Sequence, residues 1–173
     1  KTAPDKSDAA VIADFCQTQQ PELWSPPDPA LRELRGLVRY LEDLHSLHTQ
    51  QVNRLKAGSD NRTVSRNLRK HITFLDHQIQ EVEDLIRQHI DQHPDLKHQK
   101  ELLTSIPGIG TTTASALLAE IGDWRSFPAA RQLAAFAGVT PRKHQSGSSV
   151  RGRSRFTKIG NAHVRRILFL PAL

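Results

Sequence analysis

The stretch ALRELRGLVRYLEDLHSLHTQQVNRLKAGSDNRTVSRNLRKHITFLDHQIQEVEDLIRQHI, residues 30–90, decides the fold. Leu31, Leu34, Val38, Leu41, Leu44, Leu47, Val52 and Leu55 recur at spacings of three and four, the signature of one apolar helix face. A second stripe follows, through Val64, Leu68, Ile72, Leu75, Ile79, Val82, Ile86 and Ile90 (or His89). Between them lie Gly58, Ser59, Asp60 and Asn61, all turn formers. The pattern predicts helices from about 30 to 56 and 62 to 93, the second ended by Pro94. A turn this short makes them antiparallel neighbours, each roughly 40 Å long at about 1.5 Å per residue. The expected fold is therefore mainly α, a long antiparallel helical hairpin of coiled-coil type joined to a smaller helical unit.

Upstream, Ser7 to Gln19 reads as a short helix with Ala9, Ala10, Ile12, Ala13, Phe15 and Cys16 on its apolar face, where the lone cysteine is a buried small residue. Residues 21–29 hold four prolines and form a connector. Downstream, residues 98–138 read as a small helical unit, 139–156 as a Gly/Ser/Arg-rich loop, and Asn161 onward as a last helix. The resulting division is 1–20, 21–29, 30–97 and 98–173.

Composition narrows the function. The chain has 173 residues, 37% of them hydrophobic and only 5% aromatic, which disfavours a large β-sandwich. One cysteine rules out an internal disulfide framework. No apolar run approaches the roughly 20 residues of a membrane helix, and no leader is evident, so a cytoplasmic, nucleoid-associated protein of bacterial type without a membrane partner is expected. The chain lacks methionine even at position 1 and stops inside an apolar run, so it reads as a piece of a longer protein. The net charge of +6 is unevenly placed. All 18 acidic residues lie at or before Asp123, and ten basic residues follow it, eight of them between Arg142 and Arg166. A segment of one sign repels itself unless a polyanion neutralises it, which points to nucleic acid. A solvated basic tail is the plain alternative.

Three constellations carry chemistry. Leu102 to Ile106, then Pro107-Gly108-Ile109-Gly110, then Thr111 to Ile121 place Pro-Gly-Ile-Gly between two apolar helices, the helix-hairpin-helix pattern. Its glycines let the backbone approach a phosphate, and the amides of Gly108, Ile109, Gly110 and Thr111 form an anion nest. A purely structural turn is the alternative. The second is the basic run Pro141 to Arg153, where Ser146-Gly147 sits among Arg142, Lys143, Arg151 and Arg153. An activated serine there suits attack on a phosphodiester, with guanidinium groups stabilising the developing charge and His144 near enough to move a proton. On chemistry alone, a plain phosphate-binding loop is the more economical reading. The third is Asp5 and Asp8, one helical turn apart, which either share a magnesium ion or merely complement a helix start. His45/His48 and His89/His93 have metal-compatible spacing, but without acidic or cysteine partners they read as solvated polar faces.

From Leu103 to Leu170 the sequence resembles the C-terminal domain of the DEDD-type insertion-sequence transposases, relatives of the Piv-type DNA invertases. The matching series is Ile106-Pro107-Gly108-Ile109-Gly110, Leu118 through Asp123, Phe127, Leu133 through Gly138, Pro141, Gln145-Ser146-Gly147, Lys158 through Asn161, and Arg165. Lys1-Thr2 and Asp5 through Ala9 resemble the end of that family's RuvC-like domain. The resemblance implies magnesium held by four acids, the last two matching Asp5 and Asp8. It implies a nucleophilic serine, Ser146, that links covalently to DNA, and in some members a structured bridge RNA as guide. It implies DNA contacts from Gly108 to Thr111 and from Arg142, Lys143, Arg151, Arg153, Arg155, Lys158, Asn161 and Arg165, and a homodimer or tetramer assembled through the hairpin. The fragment alone would lack a complete active site. A noncatalytic helix-hairpin-helix DNA-binding and dimerisation module, a site-specific invertase and an interaction scaffold are the competing readings.

Overall fold

The computed structural model describes residues 5–21, 23, 25–58, 60–142, 145–146, 150–151, 155–157, 159–169 and 171, with backbone alone for 5–7, 142, 145, 146, 150, 151 and 155. It is mainly helical, as the periodicity requires: α1 (Asp5–Gln19), α2 (Pro29–Ala57), α3 (Arg62–Gln92), α4 (Pro94–Thr104), α5 (Thr111–Ile121), a 3₁₀ turn (Trp124–Ser126), α6 (Ala130–Ala137) and α7 (Ala162–Ile167). Among the described residues no helix is long and apolar enough to cross a membrane.

Local chemistry sets the ends of the hairpin. Asp28 accepts a bond from the Ala30 amide at 2.7 Å, and Pro29 opens α2, where a missing N–H costs nothing. Gly58 ends α2 with φ of 84°, and Asn61 caps α3 by accepting from the Thr63 and Val64 amides. Pro94 does end α3, but it also opens α4 at once, four residues before the expected helical unit.

The apolar stripes meet as expected near the open end of the hairpin and thin out toward its turn. Leu34, Val38, Leu41 and Leu44 of α2 pack with Leu75, Val82, Ile86 and Ile90 of α3. Beyond them Leu47 and Val64 are each 42% exposed. The same core takes in Leu96 of α4 and Leu118 and Ala119 of α5, so α4 and α5 pack on the open end. A second cluster joins Leu117 and Ile121 of α5 to Ala137 of α6 and Val164 of α7. Phe127 and Phe136 pack at its rim, ring centroids 5.2 Å apart.

Three expectations need correction. Cys16 is exposed, as is every other described side chain of α1, because nothing among the described residues covers that helix. His89 is buried rather than solvated: its Nε2–H donates to the Ala30 carbonyl at 2.9 Å, tying α3 to the start of α2. The run 139–156 is not irregular throughout. It contains β1 (Pro141–Arg142), β2 (Gln145–Ser146), β3 (Val150–Arg151) and β4 (Arg155–Phe156), paired antiparallel as β1 with β4 and β2 with β3.

Candidate nucleic-acid interface

The Pro-Gly-Ile-Gly stretch links α4 to α5 through a tight turn. The Ile109 amide donates to the Ile106 carbonyl at 3.1 Å across Pro107 and Gly108. Gly108 has φ of 87°, the left-handed conformation that a type II turn requires after proline. Gly110 then precedes α5 with φ of −82° and ψ of 174°, and no side chain caps the helix start. Thr111 and Thr112 are exposed. The first amides of α5 thus have no side-chain cap, and the positive end of the helix dipole lies behind them. Beside them lies a cleft of about 350 Å³ between the hairpin, α5 and α7, lined in part by Glu42, Glu83, Arg87, Lys100, Thr112 and Arg166.

The run that carries Ser146 is rooted between α6 and α7. Gly138 ends α6 in the left-handed conformation, φ 69° and ψ 28°. Gly160, with φ of 136°, lies against the end of α6, and the Asn161 amide donates to the Phe136 carbonyl at 2.6 Å. Thr157 donates its amide to the Thr140 carbonyl at 3.0 Å. From this root the chain leaves and returns as paired strands. Pro141 stands opposite Phe156, Arg142 opposite Arg155, Gln145 opposite Arg151, and Ser146 opposite Val150. Like charges directly across an antiparallel pair destabilise it. Among the other expected contacts, Lys143, Arg153 and Lys158 lie outside the described residues. His144, the candidate proton carrier, does too.

Two of the expected DNA contacts, Asn161 and Arg165, also hold bonds inside the fold. Asn161 caps α7: its Oδ1 accepts from the His163 and Val164 amides at 2.9 and 3.1 Å, and its Nδ2 donates to Glu120 at 2.9 Å. Arg165 donates to the Ala137 carbonyl at 3.0 Å, beside Gly138. Asp8 is exposed on α1, one turn after Asp5. No group of three metal-binding side chains occurs among the described residues.

Beneath the root lies a polar network that composition and motif spacing do not reveal. Glu120 is buried, its side chain 2% exposed, near the end of α5. Arg39 of α2 grips it with two bonds, Nε to Oε1 at 2.8 Å and Nη2 to Oε2 at 3.1 Å. Burial pushes the Glu120 carboxyl up, but the bonds from Arg39 and Asn161 and the charges of Arg39 and His163 outweigh it, so it sits below its ordinary value. Arg39 is raised, first by its bond to Glu120. Nearby, Glu42 of α2 receives His163 at 3.0 Å and also Arg166. Arg35 adds a bond to the Ala119 carbonyl at 2.7 Å. The available signal was one acid inside the apolar run Leu117 to Ile121, since a charge at a buried position needs a partner.

The comparisons with known proteins bear on this same region. Residues 100–173 match the Transposase IS116/IS110/IS902 family. The match begins inside α4 and takes in the turn, Glu120, the strand pairs and α7. The chain is also 34% identical, over its whole length, to a pilin gene-inverting protein of Moraxella bovis, of which it spans 53%. It is 30% identical over 87% of its length to an uncharacterized insertion element IS110 protein of Streptomyces coelicolor, covering 35% of that protein. It is 37% identical over 58% of its length to the transposase for insertion sequence element IS1328 of Yersinia enterocolitica, covering 29% of it. The chain thus spans about half the length, or less, of these relatives.

Proposed function

We propose that this chain is the hairpin and C-terminal portion of a DNA transposase or recombinase that cuts and rejoins DNA through Ser146. The observation that carries the reading is the register of the basic hairpin. Arg142 faces Arg155 on the ladder that leads to Ser146, in a part of the chain without a single acid. Such a ladder is self-repulsive alone and is relieved by a polyanion. The family match over the same residues gives the polyanion a natural identity, DNA.

In this reading the uncapped amides at the start of α5 hold one backbone phosphate, and the arginines neutralise those around Ser146. These contacts position the duplex without reading sequence. The serine Oγ attacks phosphorus, its proton passes to a base, and the P–O3′ bond breaks as O3′ takes up a proton. The product is a phosphoserine on the 5′ side and a free 3′-hydroxyl. Reversal by a new 3′-hydroxyl restores the diester and releases the serine, so the bond energy is conserved and no nucleotide cofactor is consumed. Asp5 and Asp8, one turn apart, would supply two oxygen donors to magnesium, and the other two acids would come from the RuvC-like part of the full-length protein. When bound, the ion would neutralise charge on the reacting phosphate. A bridge RNA that pairs with donor and target would supply sequence recognition, and the half-exposed distal hairpin would join copies into a dimer or tetramer.

The test uses the full-length protein, magnesium, a nicked suicide substrate and any cognate RNA, with a denaturing gel for the adduct and peptide mass mapping. An adduct on Ser146 that vanishes in Ser146→Ala establishes the mechanism. DNA binding without an adduct under every guide and metal condition leaves only the noncatalytic binding module, whose affinity falls with a salt slope of about −0.9 per phosphate contact. A second reading, site-specific inversion, draws on the pilin gene-inverting relative, which aligns with the entire chain. Substrates carrying inverted sites against a single site plus target separate the two.

A further inference from the structure

Glu120 is a buried carboxylate with three hydrogen bonds and no part in the chemistry proposed above. Its situation is costly. A buried ion pair is often no better for stability than apolar side chains of similar volume, so its value lies in fixing one arrangement. What it fixes can be traced bond by bond. Arg39 holds it from α2 in a two-pronged grip. Its Oε2 receives Nδ2 of Asn161. The same Asn161 caps α7 through Oδ1 and bonds the end of α6 through its amide. Thr157, four residues back, pairs with Thr140, and the next residues outward are Phe156 and Pro141, the first rung of the ladder toward Ser146.

We infer that Glu120 is a positioning residue: through Asn161 it sets the root of the 141–156 hairpin on the α2–α5 platform, and so the place of Ser146. The inference rests on Ser146 being the nucleophile proposed above. Arg39 belongs to the same device, since it holds the carboxylate in the orientation that Asn161 meets. Asn161 is held through its backbone amide to the end of α6 and through both ends of its side-chain amide, Oδ1 to the start of α7 and Nδ2 to Glu120, so it ties Glu120 to the root.

The experiment compares wild type with Glu120→Gln, Asn161→Asp and the double variant in the full-length protein. Glu120→Gln leaves Arg39 without its anion and allows an amide to face an amide. Asn161→Asp keeps a good helix cap but sets carboxylate against carboxylate. The double variant restores a donor at 120 facing an acceptor at 161. Two readouts are taken: the rate of Ser146 adduct formation at saturating suicide DNA, and hydrogen exchange at the amides of Thr157 and Asn161. Each single variant should slow adduct formation by about tenfold to a hundredfold, the effect of a nucleophile displaced by an ångström or so. The DNA concentration for half saturation should change much less than the rate, because the start of α5 lies outside the displaced hairpin and phosphate attraction tolerates a small shift better than in-line attack does. Exchange at Thr157 and Asn161 should quicken while the α2–α3 seam holds its protection, and the double variant should recover much of both. Unchanged rate and exchange in both single variants would overturn the inference, as would a rate loss matching only the fraction of unfolded protein. If wild type forms no adduct at all, the nucleophile reading fails, and the exchange readout alone still decides whether Glu120 sets the root.

Discussion

Substituting Gly160 by alanine tests the root of the basic hairpin most severely. At φ of 136° the backbone lies where L residues rarely go, a strain of about 1–3 kcal/mol. A Cβ added there would meet the Ala135 carbonyl oxygen and the Gly138 nitrogen at 2.9 Å, with the Phe136 oxygen nearer still. All three are backbone atoms at the end of α6, so no rotamer relieves the contact. The chain must retreat, and in doing so it lengthens the 2.6 Å bond from the Asn161 amide to Phe136. Leaving that pair unmet adds about 1–3 kcal/mol. The expected loss is about 3–5 kcal/mol, at the upper end for one substitution. It should appear as local opening of 138–161 rather than collapse of the hairpin, whose core lies in a separate cluster. Denaturant melts and residue-resolved hydrogen exchange measure both quantities. Gly36 supplies the control of opposite sign. It lies exposed in mid-α2 with nothing within 4 Å of an added Cβ, so alanine there should stabilise by about 0.5–1 kcal/mol. A Gly160→Ala protein within about 1 kcal/mol of wild type, with Thr157 and Asn161 exchanging normally, refutes this account of the root.

The remaining predictions concern charge, core and phosphate. Glu120 is held below its ordinary carboxyl value, so its stabilisation is complete above that value and disappears as pH falls through the folded one. The stability difference between wild type and Glu120→Gln should therefore be flat near neutrality and shrink in acid, read from urea melts across pH. Leu118→Ala should cost about 2–5 kcal/mol, since Leu118 is fully buried where α5 meets the hairpin, whereas Leu47→Ala, half exposed on the distal hairpin, should cost about 1 kcal/mol or less in a thermal melt. Gly110→Ala should leave stability within about 1 kcal/mol, because the dihedrals suit alanine and the space is open, yet weaken DNA binding and reduce the salt slope by about 0.9 if a phosphate sits there.

The helices were legible because the information for them is local. Stripes at three and four spacing located α2 and α3 to within a residue or so, and Asp28, Gly58 and Asn61 supplied their ends. The small helical unit was legible for the same reason, except that Pro94 serves as both a stop and a start. Cys16 failed because periodicity describes which face of a helix is apolar and says nothing of whether a neighbour covers it. The short strands escaped notice because two-residue ladders among Ser, Gly and Arg have too few residues to show a period of two.

The site was legible where it depends on turn chemistry and hidden where it depends on distance. Pro107-Gly108 specifies its turn within four residues, and the missing acids after Asp123 can be counted. The Glu120 network has no such local trace. Arg39 lies 81 residues before Glu120 and Asn161 lies 41 after it. Each alone reads as something ordinary: a surface arginine on a helix, an acid near a helix end, a capping asparagine. Only their meeting makes them a device, and sequence pattern shows it solely as a charge inside Leu117 to Ile121 that must find a partner. The same reasoning separates Asn161 and Arg165 from the arginines of the strands. The first two use their polar atoms to bind the end of α6, α7 and Glu120, whereas the register pairs Arg142 with Arg155 in the stretch after Asp123, which has no acid. Charge that is already satisfied inside the fold supports the site, and a basic run with no acid in its own sequence is what a polyanion would relieve.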